Sequence, residues 1–473
     1  MKRERLKTAA LVLLVACSII LTVNKWFSEK LWPDGYNFFS NLTNYFSFGE
    51  KTVKKSYYLS KENISNPSEI VVTNGDLRGV YTHTSEDYNS MVGTVKDTLK
   101  IALSSKEFVL SDAEKWKGAL KGVSLYVTYP VAYDTAVFAA VMDTQIAQFG
   151  ISAMKEFIIT PADPITGKNF LYIKDASADK YICATLDFAA QTDELIARYA
   201  KSSVGEYAYS FELNFDTKSD TVEQKIVIEP QVILSISPVT KASVTKINYF
   251  DGIANNRPLY SKFLRAFGFN TTNIRKYVNV DNSIVFAENY GSITMHPDGL
   301  LEYSALDDSK GISLTSSANP SFYDSFIGCI EFVNKVWDTA CGDCSMNINL
   351  ASLTKEENGF KLAIDYYADG MIAVSKADGS TAHEKISHAI EITVKNSKIV
   401  SYRQLVNGYV SNGDSIECTG IIEALDTLMA GGGIKSDTIT DLYLAYAPSN
   451  GDVCVPYWVA KTDRNEVKII KNK

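Results

Sequence analysis

The spacing of apolar residues along the chain changes repeatedly between a helical and a strand period. Apolar residues three or four positions apart predict amphipathic helices, and strict alternation predicts strands with one buried face. Helices are predicted in this way at 87–103, 131–140, 191–199, 259–267, 322–337 and 421–429. Short alternating stretches separated by turn residues lie between them. The pattern therefore predicts an α+β fold with antiparallel sheets.

Turn residues predict how the strands connect. The alternating stretch 123–130 ends at Pro130, which predicts the end of a strand, and the sequence His-Pro-Asp-Gly at 296–299 predicts a tight turn between two strands. Further turns are predicted at 368–370, 395–398 and 449–452. From residue 322 onward a helix, a strand meander, a second helix and a second meander follow in order. This order suggests a duplicated helix-on-sheet element.

A charge-free stretch near the amino terminus predicts a membrane anchor. Residues 8–23 carry no charge, four basic residues precede them, and Trp26 and Phe27 extend the apolar run. At about 1.5 Å per residue, one helix over 8–27 can cross a hydrocarbon layer of about 30 Å. Since the basic residues are concentrated before the helix, we expect a cytoplasmic amino terminus with the bulk of the chain extracytoplasmic in a cell membrane.

Two alternatives to an uncleaved anchor stay open. Residues 14–17, Leu-Val-Ala-Cys, resemble a lipoprotein cleavage box with Cys17 as the lipidated residue. Ala16 and Ser18 would serve as the small residues of an ordinary signal-peptidase site. Residues 18–23 remain apolar beyond either cut, whereas a mature amino terminus usually turns polar at once, so the pattern favours the anchor.

Composition indicates several folded domains. The chain has 46% apolar and 22% charged residues, and the roughly 445 residues beyond the anchor are too many for one core. The predicted divisions are a cytoplasmic tail at 1–7, the anchor at 8–27, a juxtamembrane linker at 28–68, an α+β domain at 69–204, a second at 205–305 and a C-terminal domain at 306–473. A net charge of −8 argues against nucleic acid as a partner.

The cysteines predict little chemistry. Six of the seven lie beyond the anchor, and only Cys341 and Cys344 are close in sequence. A zinc site needs about four ligands, and no second CxxC supplies them. A redox CxxC should open a helix, but here the predicted helix comes before it. Structural thiols, a local Cys341–Cys344 disulfide and a longer-range disulfide all stay open, with metal or redox chemistry disfavoured.

Motifs of catalysis are absent from the sequence in the contexts they need. The Gly-Gly-Gly at 431–433 lacks the Lys-Ser/Thr of a phosphate loop. His383 and His388 are five apart, which is the wrong interval for a zinc-binding HExxH helix. The sequence has no GxSxG, and acidic pairs such as Asp307-Asp308 and Glu356-Glu357 are ordinary polar turns. We therefore expect no enzyme activity, no cofactor, no metal and no small-molecule substrate.

Several stretches together resemble one protein family. They are the Met-Lys-Arg-Glu that precedes a short anchor, Gly-Val-Ser-Leu-Tyr-Val-Thr-Tyr-Pro at 122–130, Phe-Leu-Arg-Ala-Phe-Gly-Phe at 263–269, 274–277, 298–303, 332–334, 365–370 and 442–458. In this order and spacing they are similar to the YycH family over nearly the full length. These are diffuse positions without catalytic motifs. The 433 loop and the CxxC depart from the family pattern.

The resemblance implies a function. YycH and the smaller YycI proteins are single-pass proteins with extracytoplasmic domains in Gram-positive bacteria, and they regulate an essential sensor histidine kinase that controls cell-wall metabolism. The expected partners are that kinase, through contacts that include the membrane helix, and a YycI-like protein. The resemblance also implies a three-domain ectodomain with PepSY-like helix-on-sheet units. The alternatives are a cell-surface binding or peptidase-inhibitor module of PepSY-like type and, third, a wall hydrolase.

Small residues in the anchor predict a contact surface. Ala10 and Cys17 lie seven apart, with Leu14 and Leu21 on the same helical stripe. Small side chains let helix backbones approach closely where lipid supplies no hydrophobic driving force. Alanine is also common in helices that contact only lipid, so a plain tether stays open. The family resemblance favours contact with a kinase helix and a YycI-like helix.

Overall fold

The computed structural model describes residues 59–470 except 76, 105–107, 147–149, 164, 179, 187–189, 201–206, 214–226, 341–345, 375–385, 431–437 and 465. Predictions that concern the amino-terminal tail, the anchor and most of the linker lie outside these residues. So do the CxxC pair and the three consecutive glycines. The described residues belong to a single compact unit.

Each of the six predicted helices overlaps a described helix. The described helices are α1 (Tyr88–Leu103), α2 (Ala113–Lys121), α3 (Thr135–Met142), α4 (Ala190–Tyr199), α5 (Arg257–Ala266), α6 (Phe322–Ala340) and α7 (Ile421–Ala430). Helix α2 was not predicted. Its first turn is capped by Asp112, whose Oδ1 accepts a hydrogen bond from the Lys115 N–H at 2.8 Å. Trp116 and Leu120, one turn apart, are buried.

A first sheet is built from residues 69–186. Its strands are β1 (Glu69–Asn74), β2 (Leu77–Thr82), β3 (Phe108–Ser111), β4 (Ser124–Asp134), β5 (Ala153–Ile159), β6 (Asn169–Asp175) and β7 (Tyr181–Leu186). They lie in the order β2-β1-β4-β5-β6-β7-β3, and all pairs are antiparallel. Four of the six pairings join strands that are consecutive along the chain, as is usual for antiparallel sheets.

The strand predicted to end at Pro130 continues to Asp134, so that prediction was wrong. Proline cannot donate to a ladder and is tolerated in strands at bulges. The register between β4 and β5 shifts between Thr128 and Tyr133, which places Pro130 in this irregular part. Helix α3 consequently begins at Thr135, four residues later than predicted, with Asp134 as its capping residue.

A large second sheet contains sixteen strands among the described residues. They are β9 (Val227–Ile228), β11 (Thr240–Asn248), β12 (Arg275–Val278), β13 (Ile284–Ala287), β14 (Gly291–Met295), β15 (Leu300–Ala305), β16 (Ile312–Ser313), β17 (Asn347–Glu356), β18 (Gly359–Ala368), β19 (Met371–Ala373), β20 (Ile390–Lys395), β21 (Lys398–Leu405), β22 (Asn407–Glu417), β23 (Thr438–Asn450), β24 (Val453–Thr462) and β25 (Val467–Ile470). The separate strands β8 (Tyr207–Tyr209) and β10 (Ile233–Ser235) pair with each other.

The main path of the large sheet runs β12-β13-β14-β15-β21-β20-β18-β19-β23-β24-β11-β22. The pairs β19–β23 and β9–β23 are parallel, and the other pairs along this sheet are antiparallel. Strand β15 pairs with β21, so the sheet is continuous across the predicted boundary at residue 305. The predicted turn at 296–299 is present, with the Gly299 N–H bonded to the His296 carbonyl.

Two helices cover parts of the large sheet. Helix α6 packs through Phe326 and Phe360, whose ring centroids are 6.3 Å apart, and through Trp337 and Tyr366 at 5.0 Å. Helix α7 buries Leu425 in a separate cluster with β23, β24 and β25. The predicted α+β class with mostly antiparallel sheets is confirmed. The domain boundaries stay predictions.

Candidate functional site

The first ten described residues pack against the folded body, with some of their side chains in the core. Residues 59–68, which we call the lead-in segment, contain a short 3-10 turn at Asn63–Ser65. Leu59 and Ile64 are only 1% and 3% exposed. Burial of two such side chains stabilises the docked position by about 3–6 kcal/mol before the cost of ordering the chain. The last part of the predicted linker is therefore part of the folded body.

Helix α6 binds the first part of the lead-in segment. The Asn334 Nδ2 donates a hydrogen bond to the Leu59 carbonyl at 2.8 Å, across 275 sequence positions. The Lys61 ammonium lies 5.8 Å from the ring centroid of Tyr323. A partly exposed cation–π contact contributes about 0.5–1 kcal/mol, so the buried Leu59 and its hydrogen bond dominate this attachment.

The first sheet and helix α1 bind the second part of the segment. The Tyr133 hydroxyl on β4 donates to the Ile64 carbonyl at 3.1 Å, and the Tyr88 hydroxyl on α1 donates to the Pro67 carbonyl. The Ser68 N–H donates to the Thr128 carbonyl at 2.8 Å. This last bond continues the β1–β4 pairing, so the segment runs directly into β1.

Lys96 of helix α1 makes the charged contact. Its ammonium donates to the Ser65 hydroxyl and, at 3.0 Å, to the Asn66 Oδ1. Both acceptors are neutral. Burial consequently lowers the pKa of Lys96, because the acceptors do not replace the solvation that the ammonium has in water.

An aromatic contact joins the two parts that hold the segment. The Tyr133 ring lies 5.9 Å from Phe138 of α3 and 6.3 Å from Phe326 of α6. Burial raises the pKa of Tyr133 well above its ordinary value, so its hydroxyl remains a hydrogen-bond donor at physiological pH. One side chain therefore contacts the lead-in segment, the first sheet and the helix on the large sheet.

A surface ion pair lies beside this contact. The Lys355 ammonium of β17 is 3.0 Å from the Asp134 carboxylate, which follows Tyr133 directly. Both side chains are substantially exposed, and such pairs contribute at most about 1 kcal/mol. Hydrogen bonds and apolar packing thus fix the lead-in segment, and movement of α6 relative to the first sheet would displace it.

Four strands of the large sheet, β15, β18, β20 and β21, carry a row of charged side chains. Arg403 on β21 bonds Glu302 on β15 at 3.3 Å and Glu391 on β20 at 3.1 Å. His296 bonds Glu302 at 2.9 Å at one end, and His388 bonds Asp365 of β18 at 3.1 Å at the other. The Arg403 guanidinium therefore lies between carboxylates of the strands on either side, and such opposite-charge pairs stabilise the register of β15, β21 and β20.

The histidines of this row are held by carboxylates. The hydrogen bond with Glu302 raises the pKa of His296. Burial opposes the charged form of His388, but the hydrogen bond and charge of Asp365 outweigh it and raise its pKa. His83 instead lies edge-on to Tyr367, and burial lowers its pKa. Among the described residues no three His, Cys, Asp or Glu side chains are grouped to hold a metal ion.

A shallow groove of about 400 Å³ lies beside helix α2 and the β5–β6 connection. Its titratable lining residues are Lys115, Asp163 and Tyr172. The Asp163 carboxylate accepts the N–H groups of Ile165 and Thr166 and so stabilises its own turn. Burial raises the pKa of Tyr172 to about 12. The lining residues do not combine a nucleophile with a base.

The site residues named from sequence lie outside the described residues. These are Ala10, Leu14, Cys17, Leu21, Cys341 and Cys344, and His383 lies outside as well. None of the helices within the described ranges has the length and apolar character to cross a membrane. Four described cysteines, Cys183, Cys329, Cys418 and Cys454, are free and buried. Burial raises the pKa of the Cys183 thiol to about 11, so it is not a reactive thiolate.

Sequence reasoning missed the residues that hold the lead-in segment. Tyr88 and Tyr133 have ordinary core spacing, and nothing in the pattern distinguishes their hydroxyls. Asn334 gave one usable signal, because it follows Val333 on the apolar side of a strongly periodic helix. A polar residue there needs a partner, although the sequence cannot say which one.

Comparison with solved structures identifies a similar fold. The chain resembles YycH from Bacillus subtilis with a TM-score of 0.56 and 13% identity, over 87% of this chain and 97% of that one. The predicted resemblance to YycH is therefore confirmed at the level of the fold. No protein-family model and no curated protein matches the sequence.

Two further solved structures are more distant. An uncharacterized protein from Eubacterium rectale has a TM-score of 0.34 and 11% identity over 49% of this chain and 82% of its own. The YpeB C-terminal domain of Bacillus megaterium has a TM-score of 0.26 and 9% identity over 46% of this chain and 98% of its own. Scores this low carry no argument about the fold.

Proposed function

We propose that this chain, which has a YycH-like fold, is a membrane-anchored extracytoplasmic regulator of a two-component sensor histidine kinase that controls cell-wall metabolism. The observation that carries the proposal is the fold similarity over 87% of this chain and 97% of YycH. The sequence positions that resemble the YycH family support the same function. In this proposal the protein acts through protein contacts and has no catalytic activity of its own.

The lead-in segment supplies a physical route for regulation. It is the part of the described chain nearest in sequence to the predicted anchor, and it is bonded both to α6 and to the first sheet. Binding of a partner to either part would alter the free energy of docking of residues 59–68. A change of this kind alters where the linker leaves the folded body, and a bistable attachment is what converts a binding event into a signal.

The anchor is the second element of the proposal. The proposed partners are the kinase and a YycI-like protein, and the proposed contact stripe is Ala10, Leu14, Cys17 and Leu21. Small residues at 10 and 17 permit close approach of another helix. The PepSY-like character of the helix-on-sheet units and the extracytoplasmic location of the body are parts of the same proposal.

Substitutions within the anchor test this function. Ala10 and Cys17 are replaced together by leucine, and Val12 and Ile19 on a different face are replaced by phenylalanine as the control. Kinase output and co-purification of the kinase are measured at equal surface abundance. We expect the substitutions at Ala10 and Cys17 to reduce kinase output and co-purification of the kinase by several-fold. The control substitutions should leave both quantities near normal.

An exchanged anchor distinguishes the proposal from its alternative. If an unrelated helix of equal length restores full kinase regulation, the anchor is only a tether and the contact belongs to the extracytoplasmic body. If kinase output does not respond to removal of the protein at all, the proposed function is wrong. A cell-surface binding or peptidase-inhibitor module would then be the remaining candidate.

A further inference from the structure

One end of the large sheet has an open edge. Strand β12 pairs with β13 on one side, and no described strand pairs with its other side. All four β12 residues are exposed, and Tyr277 and Val278 are 53% and 58% exposed. Edge strands present unpaired backbone groups that another strand can bond.

The pairing register identifies which backbone groups face outward. The Asn279 N–H bonds the Ser283 carbonyl at 2.9 Å, and the register continues through Tyr277↔Val285 and Arg275↔Ala287. In an antiparallel pair, hydrogen-bonded positions recur every second residue. The N–H and C=O groups of the intervening residues, Lys276 and Val278, therefore point away from β13 and towards solvent.

This edge lacks two of the usual protections against strand addition, although β12 is only four residues long. Soluble proteins guard such edges with short strands, charged side chains, proline or bulges. Strand β12 contains no proline, and its register with β13 has no shift. The Lys276 ammonium is turned back onto the protein, where it donates to the Ala254 carbonyl at 3.1 Å and lies 4.8 Å from the Tyr260 ring centroid.

The stretch of sequence that contains β12 is strongly biased in charge. Between Asp251 and Asp281 there is no acidic residue, although the whole chain has a net charge of −8. The same stretch contains five basic residues, all exposed: Arg257, Lys262, Arg265, Arg275 and Lys276. We call these residues with strand β12 the basic edge. A positive surface of this kind attracts acidic segments and repels basic ones.

We propose that the basic edge is a docking site for an extended acidic segment of another protein, which adds to the large sheet as a further strand beside β12. Main-chain hydrogen bonds to Lys276 and Val278 give affinity, and the exposed basic side chains other than Lys276 favour acidic residues on the added strand. Apolar side chains of the guest cover Val278. A second copy of this chain does not fit, because it would bring two sets of five positive charges together.

Strand docking at β12 does not depend on kinase regulation. A protein of this fold with another role would still present the same edge. Failure of the helix-exchange experiment and failure of strand docking are therefore separate results, since the first concerns the anchor and the second concerns β12.

Peptide binding tests the proposal on the full chain in detergent. The probes are two labelled eight-residue peptides, one of alternating valine and glutamate and one of alternating valine and lysine, and binding is followed by fluorescence anisotropy at low salt. We expect the glutamate peptide to bind at least about tenfold more tightly. Hydrogen exchange at the amides of Lys276 and Val278 should slow when it is bound. Absence of binding, or equal binding of both peptides, would overturn the proposal.

Variants locate the binding. Val278→Pro removes one outward N–H and leaves the β12–β13 hydrogen bonds in place. It should lower the affinity for the glutamate peptide about fivefold or more. The matched control Val278→Thr keeps this donor and should stay within about twofold. Arg275→Glu leaves the backbone unchanged and should also lower the affinity for the glutamate peptide. The control Lys168→Glu, near the first sheet, should leave this affinity unchanged.

Opposite outcomes of these variants refute the site. Equal affinity of Val278→Pro and Val278→Thr, both folded, would show that the peptide binds elsewhere. If Val278→Pro does not fold, Arg275→Glu decides by itself, and unchanged affinity in it refutes the charge argument. Concentration-dependent dimerisation that Arg275→Glu strengthens would assign the edge to a second copy and overturn the proposal.

Discussion

Replacement of Tyr133 by phenylalanine should destabilise the docked position of the lead-in segment without unfolding the body. The change removes one hydroxyl, which donates to the Ile64 carbonyl at 3.1 Å. The ring contacts with Phe138 and Phe326 remain, because they do not involve the oxygen. The perturbation is therefore confined to one hydrogen bond.

The expected magnitude follows from that bond. A buried hydrogen bond contributes about 1 kcal/mol net, and an acceptor left without its donor costs about 1–3 kcal/mol. We expect a loss of about 1–2 kcal/mol in the docking free energy of residues 59–68. A loss of this size raises the population of the undocked state about 5–30-fold.

Hydrogen exchange measured by mass spectrometry provides the assay. Peptides that cover 59–68 should exchange about 5–30-fold faster in Tyr133→Phe, while peptides from β20 and β21 stay unchanged. Tyr446→Phe is the matched control, since the Tyr446 hydroxyl donates to the Ala242 carbonyl at 2.9 Å within the large sheet. This control removes the same chemical group without touching the lead-in segment.

Two results would refute this reasoning. Equal acceleration of 59–68 in both variants would mean that global stability, not the Tyr133 bond, controls docking. Unchanged exchange in Tyr133→Phe would mean that the hydrogen bond contributes nothing. Under the proposed function, kinase output should change in Tyr133→Phe cells and remain normal in Tyr446→Phe cells.

Three further predictions follow from other parts of the chain. Burial and nearby Asp441 raise the pKa of Glu69 to about 7, so its folded pKa lies above the unfolded one and stability should fall as pH rises from about 4.5 through 7. Between pH 5 and pH 8 the free energy of unfolding of Glu69→Gln, measured by urea denaturation, should fall by roughly 1–2 kcal/mol less than that of the parent. An equal fall in both proteins would contradict this prediction. Single alanine substitutions at His83, His296, His383 and His388 should keep kinase output within a few-fold at matched protein levels, whereas complete loss from any one would indicate catalysis. Double replacement of Cys341 and Cys344 by serine should shift Tm by only a few degrees, since a short loop constrains the unfolded chain little, and a collapsed fold or one bound zinc per chain would refute it.

The periodic parts of the fold could be predicted from sequence. Helix α6 shows the clearest pattern, with Phe326, Ile330, Val333 and Trp337 on one buried face. The turn at His296–Gly299 was equally predictable, since Gly299 adopts a φ of 101° that favours glycine. In these places local conformation and burial depend on residues that are close in sequence.

Other features depend on distant residues and could not be predicted. Pro130 stays within β4 because the partner strand β5 shifts register there. Helix α2 has only Trp116, Ala119 and Leu120 buried, which is too short an apolar pattern to stand out, although Asp112 offered a capping signal. The pairing of β11 with β22 and β24 joins residues near 245 to residues beyond 400, and no local pattern encodes it.

The candidate site likewise combines features that the local sequence predicts with features that depend on distant residues. Burial of Leu59 and Ile64 agrees with their apolar character, but their partners Asn334 and Tyr133 are 275 and 69 positions away. The apolar character of these residues predicts that they are buried, but it does not predict which residues they contact. The basic edge was also missed, because five positive charges over 29 residues look ordinary until β12 is known to be an open edge.

The bond between Asn334 and the Leu59 carbonyl also orders events during biosynthesis. The ribosome makes residue 59 early, and its partner follows 275 residues later. The first sheet, complete at residue 186, can fold while α6 has not yet been made. The Leu59 end of the lead-in segment thus docks later than its second part, which is bonded to α1 and the first sheet. Docking of Leu59 therefore indicates that synthesis has passed helix α6, and a chain that stops before Phe322 would leave Leu59 exposed to proteases.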